Sequence, residues 1–167
     1  MSTTFKYLCS FLISMVPIVE LRGGVPWGVA TGLPWYKVLP LCMLGNMIPV
    51  PFIFFFARKI LEWGKDKKYI GKFFTFCLEK GEKGGNALTE KAQKLTNGSD
   101  LGLYLALLLF VGIPLPGTGA WTGTLGASIL DLNFKKSVIA VICGVLLAGI
   151  IMTVVSLMGV TIFTAAK

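Results

Sequence analysis

Glu20 and Arg22, an acid and a base two positions apart, stand between long uncharged arms: no charge occurs from Tyr7 to Val19, and after Arg22 the next is Lys37. A charge held at membrane depth costs at least about 2.5–3.5 kcal/mol, so such residues usually carry function. The two can pair, which offsets part of that cost, or each can face a water-filled cavity. Burial and Arg22 pull the proton affinity of Glu20 in opposite directions, so a substrate that displaces Arg22 would make Glu20 a proton-coupling group. The plainer alternative is a static ion pair that pins the chain. Gly23 and Gly24 follow directly, and backbone amides beside a guanidinium suit an anion. In the second half PLPGTGAWTG places Gly117, Thr118 and Gly119 in a similar setting, with amide and hydroxyl donors but no charge. The candidate substrate-binding set is therefore Arg22, Gly23, Gly24, Gly117, Thr118 and Gly119.

Other chemistry is excluded by what the chain lacks. It has no histidine, and Cys9, Cys42, Cys77 and Cys143 are far apart with no CxxC spacing, so neither a metal site nor a disulfide framework is indicated. No phosphate-binding loop or nucleophile–base pair is present; no cofactor is expected, and the chain does not read as an enzyme. Asn46 sits midway along an apolar run, where an amide either lines a cavity or bonds a neighbouring helix; helix bonding is the favoured reading. Trp27 and Trp121 read as packing residues.

These residues are set in a chain of 167 residues that is 54% hydrophobic and 14% charged. A soluble domain has about 25% charged residues, so this is a membrane composition in a single domain. The net charge of +8 suggests a nucleic acid only until its positions are read; the charges gather between apolar runs and point to a membrane surface. A helix needs about 20 apolar residues to cross roughly 30 Å of hydrocarbon. The uncharged runs Val38–Ala57 and Ser137–Ala166 suffice. Tyr7–Val19 and Leu101–Ile113, 13 residues each, reach only about 20 Å. The first is followed by Glu20, Arg22, Gly23, Gly24 and Pro26, the second by Pro114, Pro116, Gly117 and Gly119, all of which break helices or resist burial. Short return arms follow, Val25 to about Tyr36 and Ala120–Leu130. Small residues recur along them at four-residue spacing, as Gly24, Gly28, Gly32 and as Gly119, Gly123, Ala127, which allows close helix approach.

The expected fold is an all-α integral membrane protein built as an inverted repeat, each half a re-entrant helical hairpin plus one transmembrane helix. The first repeat is 1–61, the second 100–167, and 62–99 is an amphipathic helical linker. A shift of 94 residues sets Gly23 on Gly117 and Trp27 on Trp121. The alternative is that each hairpin is a kinked spanning helix followed by a loop. In the linker Ile70, Phe73, Phe74, Cys77 and Leu78 form one helical stripe with Lys65, Lys68 and Lys72 nearby, as in an interfacial helix. With re-entrant hairpins, Arg58, Lys59, the linker lysines, Lys135 and Lys136 fall on one side, which the positive-inside rule makes cytoplasmic, with both termini outside. The N-terminal run has the look of a signal peptide but no A-x-A site, and reads as mature structure.

PIVELRGGVPWG and GIPLPGTGAWTG resemble the two signature segments of the small multi-drug export protein family, over nearly the whole chain. That family resembles in turn the DedA membrane proteins, whose fold has two inverted re-entrant hairpins and whose members are linked to polyprenyl-phosphate or phospholipid translocation. The resemblance marks Glu20, Arg22, Gly23, Gly24, Pro26, Pro114, Pro116, Gly117 and Gly119. One departure is Thr118, where the DedA-like segment usually has an acid. The expectation is a prokaryotic plasma-membrane carrier of an amphiphile, a lipid phosphate above all, with membrane lipid as its partner and no nucleic acid; a homo-oligomer stays open. Its rivals are a cationic drug exporter and a non-transporting scaffold.

Overall fold

The computed structural model describes residues 2–57, 79, 83, 85, 86, 89, 90, 100–115 and 117–165. Pro116, Arg58, Lys59 and nearly all of the linker, including the Ile70–Leu78 stripe, lie outside the described residues.

Pro17 sets the first bend. Val16 before it is extended, at φ −70° and ψ 130°, because a proline ring crowds the α region of its predecessor. Helix α1 (Thr3–Met15) stops there, and after Val16–Val19 the chain resumes as α2 (Glu20–Ala30). This corrects the expected break at Glu20–Pro26. Pro26 lies inside α2, and Gly23 is likewise helical, its amide donating to the Val19 carbonyl at 3.1 Å. A proline within a helix is tolerated where neighbouring helices hold it, whereas Pro17 acts at a helix end. Ile18 and Glu20 take positive φ values of 74° and 52°, and for a β-branched residue that backbone is strained. The two arms run antiparallel: the Lys6 ammonium near the start of α1 donates to the Thr31 carbonyl just past α2, at 2.6 Å.

After the turn come α3 (Trp35–Met47), α4 (Pro49–Phe52) and a π-helical turn at Ile53–Ala57. Together they give a 22-residue apolar run, Trp35–Phe56, long enough to cross a membrane. Pro49 opens α4 where its missing N–H leaves nothing unpaired. The second half repeats the order. Helix α5 (Asp100–Gly112) leads into a bend at 113–119, α6 (Ala120–Ile129) returns, and α7 (Phe134–Ala165) follows with a second membrane-length run of 29 residues, Phe134–Ile162. The Asn133 amide just past α6 donates to the Tyr104 hydroxyl near the start of α5, at 3.2 Å. No strand occurs among the described residues.

Helix α2 packs against α1, α3 and α7, and α6 against α5, α7 and the π-turn, where the Ser128 hydroxyl donates to the Phe54 carbonyl at 2.6 Å. The core contains Leu21, Val25, Val38, Leu107, Val111 and Val145. Glycines set the helix spacing. A Cβ on Gly24 would lie 2.8 Å from the Ser10 carbonyl oxygen, and one on Gly45 would lie 2.7 Å from that of Phe11. In the second half Gly123 abuts Leu107 and Val111, and Gly144 abuts Val111 and the Leu108 carbonyl. Gly24 and Gly123 are thus 99 residues apart, as are Gly45 and Gly144, whereas the residues they press on, Ser10 and Phe11 of α1 and Leu107 and Leu108 of α5, are 97 apart. The structural correspondence therefore differs from the 94-residue shift, and Trp27 falls opposite Gly126 instead of Trp121. Identity at a few Gly and Trp positions is a weaker guide to register than shared backbone contacts.

Large apolar side chains cover the outside, among them Leu8, Leu12, Leu44, Ile139, Ile150 and Met158. An apolar surface of that extent suits lipid rather than water.

Candidate functional site

The site lies where the two bends meet. Helix α6 begins after Gly119, which has no side chain with which to cap it, and the first amides of any helix lack partners within it. The missing acceptor comes from the other hairpin. Glu20 Oε1 accepts from the Trp121 amide at 2.9 Å and Oε2 from the Ala120 amide at 3.2 Å. The carboxylate is 2% exposed and rests at the positive end of the α6 dipole, where an anion is favoured. Gly119, at φ 137°, leaves the room: a Cβ there would strike both carboxylate oxygens.

Arg22 does the converse. Helix α5 ends at Gly112, and the guanidinium gathers the carbonyls of the bend that follows, reaching the last turn of α5 at Val111. Its Nη1 donates to the carbonyls of Leu115 at 2.6 Å and Thr118 at 2.8 Å. Its Nη2 donates to the Thr118 hydroxyl at 2.9 Å, and at longer range to the carbonyls of Ile113 at 3.3 Å and Val111 at 3.4 Å. A cation suits the negative end of a helix. One short stretch of the first hairpin therefore caps α6 with an acid and, with a base, holds the bend between α5 and α6, touching α5 itself at Val111. Among the described residues, Glu20 and Arg22 bond to that hairpin and not to each other.

Of the residues singled out by sequence, Glu20, Arg22, Thr118 and Gly119 come together here. Gly117, at φ 84°, is exposed in the bend beside them, and Pro114 is in the same loop. Gly23 and Gly24 do not offer free amides: Gly23 continues the helix, and Gly24 is buried against Ser10 and Cys42. Asn46 is fully buried on α3 beside Glu20 of α2, within hydrogen-bonding reach of its carboxylate. Trp27 is half-buried on α2, away from this contact in sequence register, while Trp121 stands in the first turn of α6. Arg22 Nε and Trp121 Nε1 are buried and unpartnered among the described residues.

The residues that sequence reasoning missed are mostly backbone. The amides of Ala120 and Trp121 and the carbonyls of Val111, Ile113 and Leu115 carry no residue-type signal, because any amino acid supplies them. Pro17 did carry one, since a proline after a short apolar arm favours an extended predecessor.

An apolar groove of about 500 Å³ lies alongside, between the first bend and the α3–α4 joint, with Trp121 in its wall. Among the described residues no cluster of side chains could hold a metal ion.

Residues 20–151 match the family described as "Putative small multi-drug export protein". No curated protein matches the chain, and no solved structure does.

Proposed function

The chain belongs to the small multi-drug export family, and from that membership we propose that it is a membrane carrier moving an amphiphile with an acidic, acceptor-rich headgroup, a lipid phosphate above all, past its two bends. The observation that carries this reading is the cap on α6. The amino end of α6 is an anion site already formed, and the anion in it belongs to the protein: the Glu20 carboxylate. A phosphate entering there gains the same two amides and draws the Arg22 guanidinium from the carbonyls it now holds. Glu20, displaced, is free to take up a proton, which couples headgroup exchange to proton movement. Two buried donors without partners among the described residues, Arg22 Nε and Trp121 Nε1, suit a ligand rich in acceptors.

The topology in this proposal is two re-entrant hairpins in an inverted repeat, with the linker cytoplasmic and both termini outside. Three features support it. Helices α1 and α5 have 13 residues each, about 20 Å, too short to cross. Both hairpins return to the end from which they start. Glycines 99 residues apart on the later helices press on residues 97 apart on the first arms, Ser10 and Phe11 in one half and Leu107 and Leu108 in the other. Single cysteines at Ile18 and Gly117, in protein freed of native thiols, should resist impermeant reagents from both sides, while cysteines at Thr3 and Gly32 should label from the same side. Labelling of Ile18→Cys from the face opposite Thr3→Cys would overturn the re-entrant topology.

Transport is tested by the movement of fluorescent polyprenyl phosphate or phosphatidic acid across vesicles holding the purified protein. Arg22→Ala should abolish it, and full activity in that variant would defeat the role given to Arg22. A second reading, export of lipophilic cations with Glu20 as the binding charge, is favoured by the family description and by the apolar groove beside Glu20. Competition by alkylammonium ions but not alkyl phosphates would select it.

A further inference from the structure

Resting on the carrier reading, we infer that the groove beside the first bend seats one hydrocarbon chain of the substrate, and that the Trp121 indole marks the level at which its headgroup begins. One wall is the bend itself, Val16 and Pro17; the other is the α3–α4 joint, Ile48, Pro49 and Phe52; Trp121 of α6 completes the lining. All seven residues of the lining, Met15 included, are apolar or amphipathic, and Val16, Ile48 and Phe52 are exposed, so the groove opens sideways to the surrounding lipid.

Its volume of about 500 Å³ falls among small-molecule sites. Polarity is confined to one place. Trp121 Nε1 is a buried donor with no partner among the described residues, and the amide of the same residue bonds Glu20. Asn46, fully buried, lies beside that carboxylate. A ligand that fits has a hydrocarbon body and an oxygen-rich head where the unpaired Trp121 indole N–H meets the Glu20 contact. Entry is lateral: the chain stays in lipid-like surroundings along the groove while the headgroup alone reaches the bends.

The test is photolabelling of the full-length protein in phosphatidylcholine vesicles, with an alkyl phosphate carrying a diazirine on its chain. Labelled peptides should contain Val16, Phe52 or Trp121, and unlabelled alkyl phosphate should suppress that labelling while leaving labelling at Val155 and Met158 of α7 unchanged. Val16→Trp, which fills the groove from an exposed position, should reduce competable labelling at least tenfold at unchanged thermal stability. Trp121→Phe keeps the apolar wall and loses one hydrogen bond, so the competing concentration should rise about 2–10-fold. Groove labelling that is no more competable than labelling of α7 means ordinary annular lipid and overturns the inference. Suppression by alkylammonium but not by alkyl phosphate overturns the assigned headgroup. Translocation without competable groove labelling defeats the groove alone; competable labelling without translocation defeats the carrier reading and supports the groove as a binding site.

Discussion

Replacing Glu20 by Gln keeps the shape of the side chain and removes its charge, and so isolates the capping of α6. The carboxylate now offers an oxygen to each of two amides, at 2.9 and 3.2 Å. A glutamine has one oxygen, and its NH₂ group must face the other amide, donor against donor. A hydrogen bond to a charged group contributes about 1.5–3 kcal/mol, and loss of a helix cap costs about 0.5–2 kcal/mol. The local opening of the first turn of α6 should therefore become easier by about 1.5–3 kcal/mol, which corresponds to roughly 10–150-fold at 1.4 kcal/mol per factor of ten. Hydrogen exchange in detergent or nanodiscs reads this directly, because the Ala120 and Trp121 amides have no intrahelical acceptor and owe their protection to Glu20. Their exchange should accelerate by that factor in Glu20→Gln, while the Gly123 amide, bonded to the Gly119 carbonyl at 2.9 Å, should change much less. Gly119→Ala should reproduce the effect with Glu20 intact, since its Cβ would displace the carboxylate and its φ of 137° disfavours any side chain. Unaltered exchange at Ala120 and Trp121 in both variants would refute the cap and, with it, the idea of a preformed anion site held by the protein's own acid.

Arg22→Lys should lower thermal stability in detergent by several degrees and cut transport, because three ammonium donors cannot serve the five acceptors that the guanidinium fork now reaches. Wild-type stability and transport in this variant would mean that those carbonyls are satisfied otherwise. Gly24→Ala and Gly45→Ala should each destabilise the fold by about 1–3 kcal/mol in denaturant titrations, since the added carbon meets a backbone carbonyl. Gly123→Ala should cost less, because its near neighbours are the side chains of Val111 and Leu107, which can shift. Pro17→Ala should loosen the first bend and raise exchange around Val16–Val19, whereas Pro26→Ala should leave the bend as it is; the opposite result would return the break to Pro26.

The apolar runs and their lengths were readable in advance: two segments long enough to cross, two short arms ahead of them, and an all-helical chain. Those features depend on local properties, hydrocarbon content per residue and the cost of placing a charge in it, and local properties are written in residue types. The position of the first bend was legible too, in Pro17, but the glycines after Glu20 gave a louder and misleading signal, because glycine in a membrane helix serves close packing as readily as it breaks the helix. Gly24 does so against Ser10 and Cys42. What the tertiary structure alone decided is the partner of each charge. Two opposite charges two residues apart invite the inference that they bond one another, yet Arg22 bonds the bend before α6 and Glu20 the first amides of α6, about a hundred residues away. Helix dipoles and unpaired terminal amides and carbonyls are properties of a folded backbone, identical for every side chain, so no residue code announces them until the two bends are brought together.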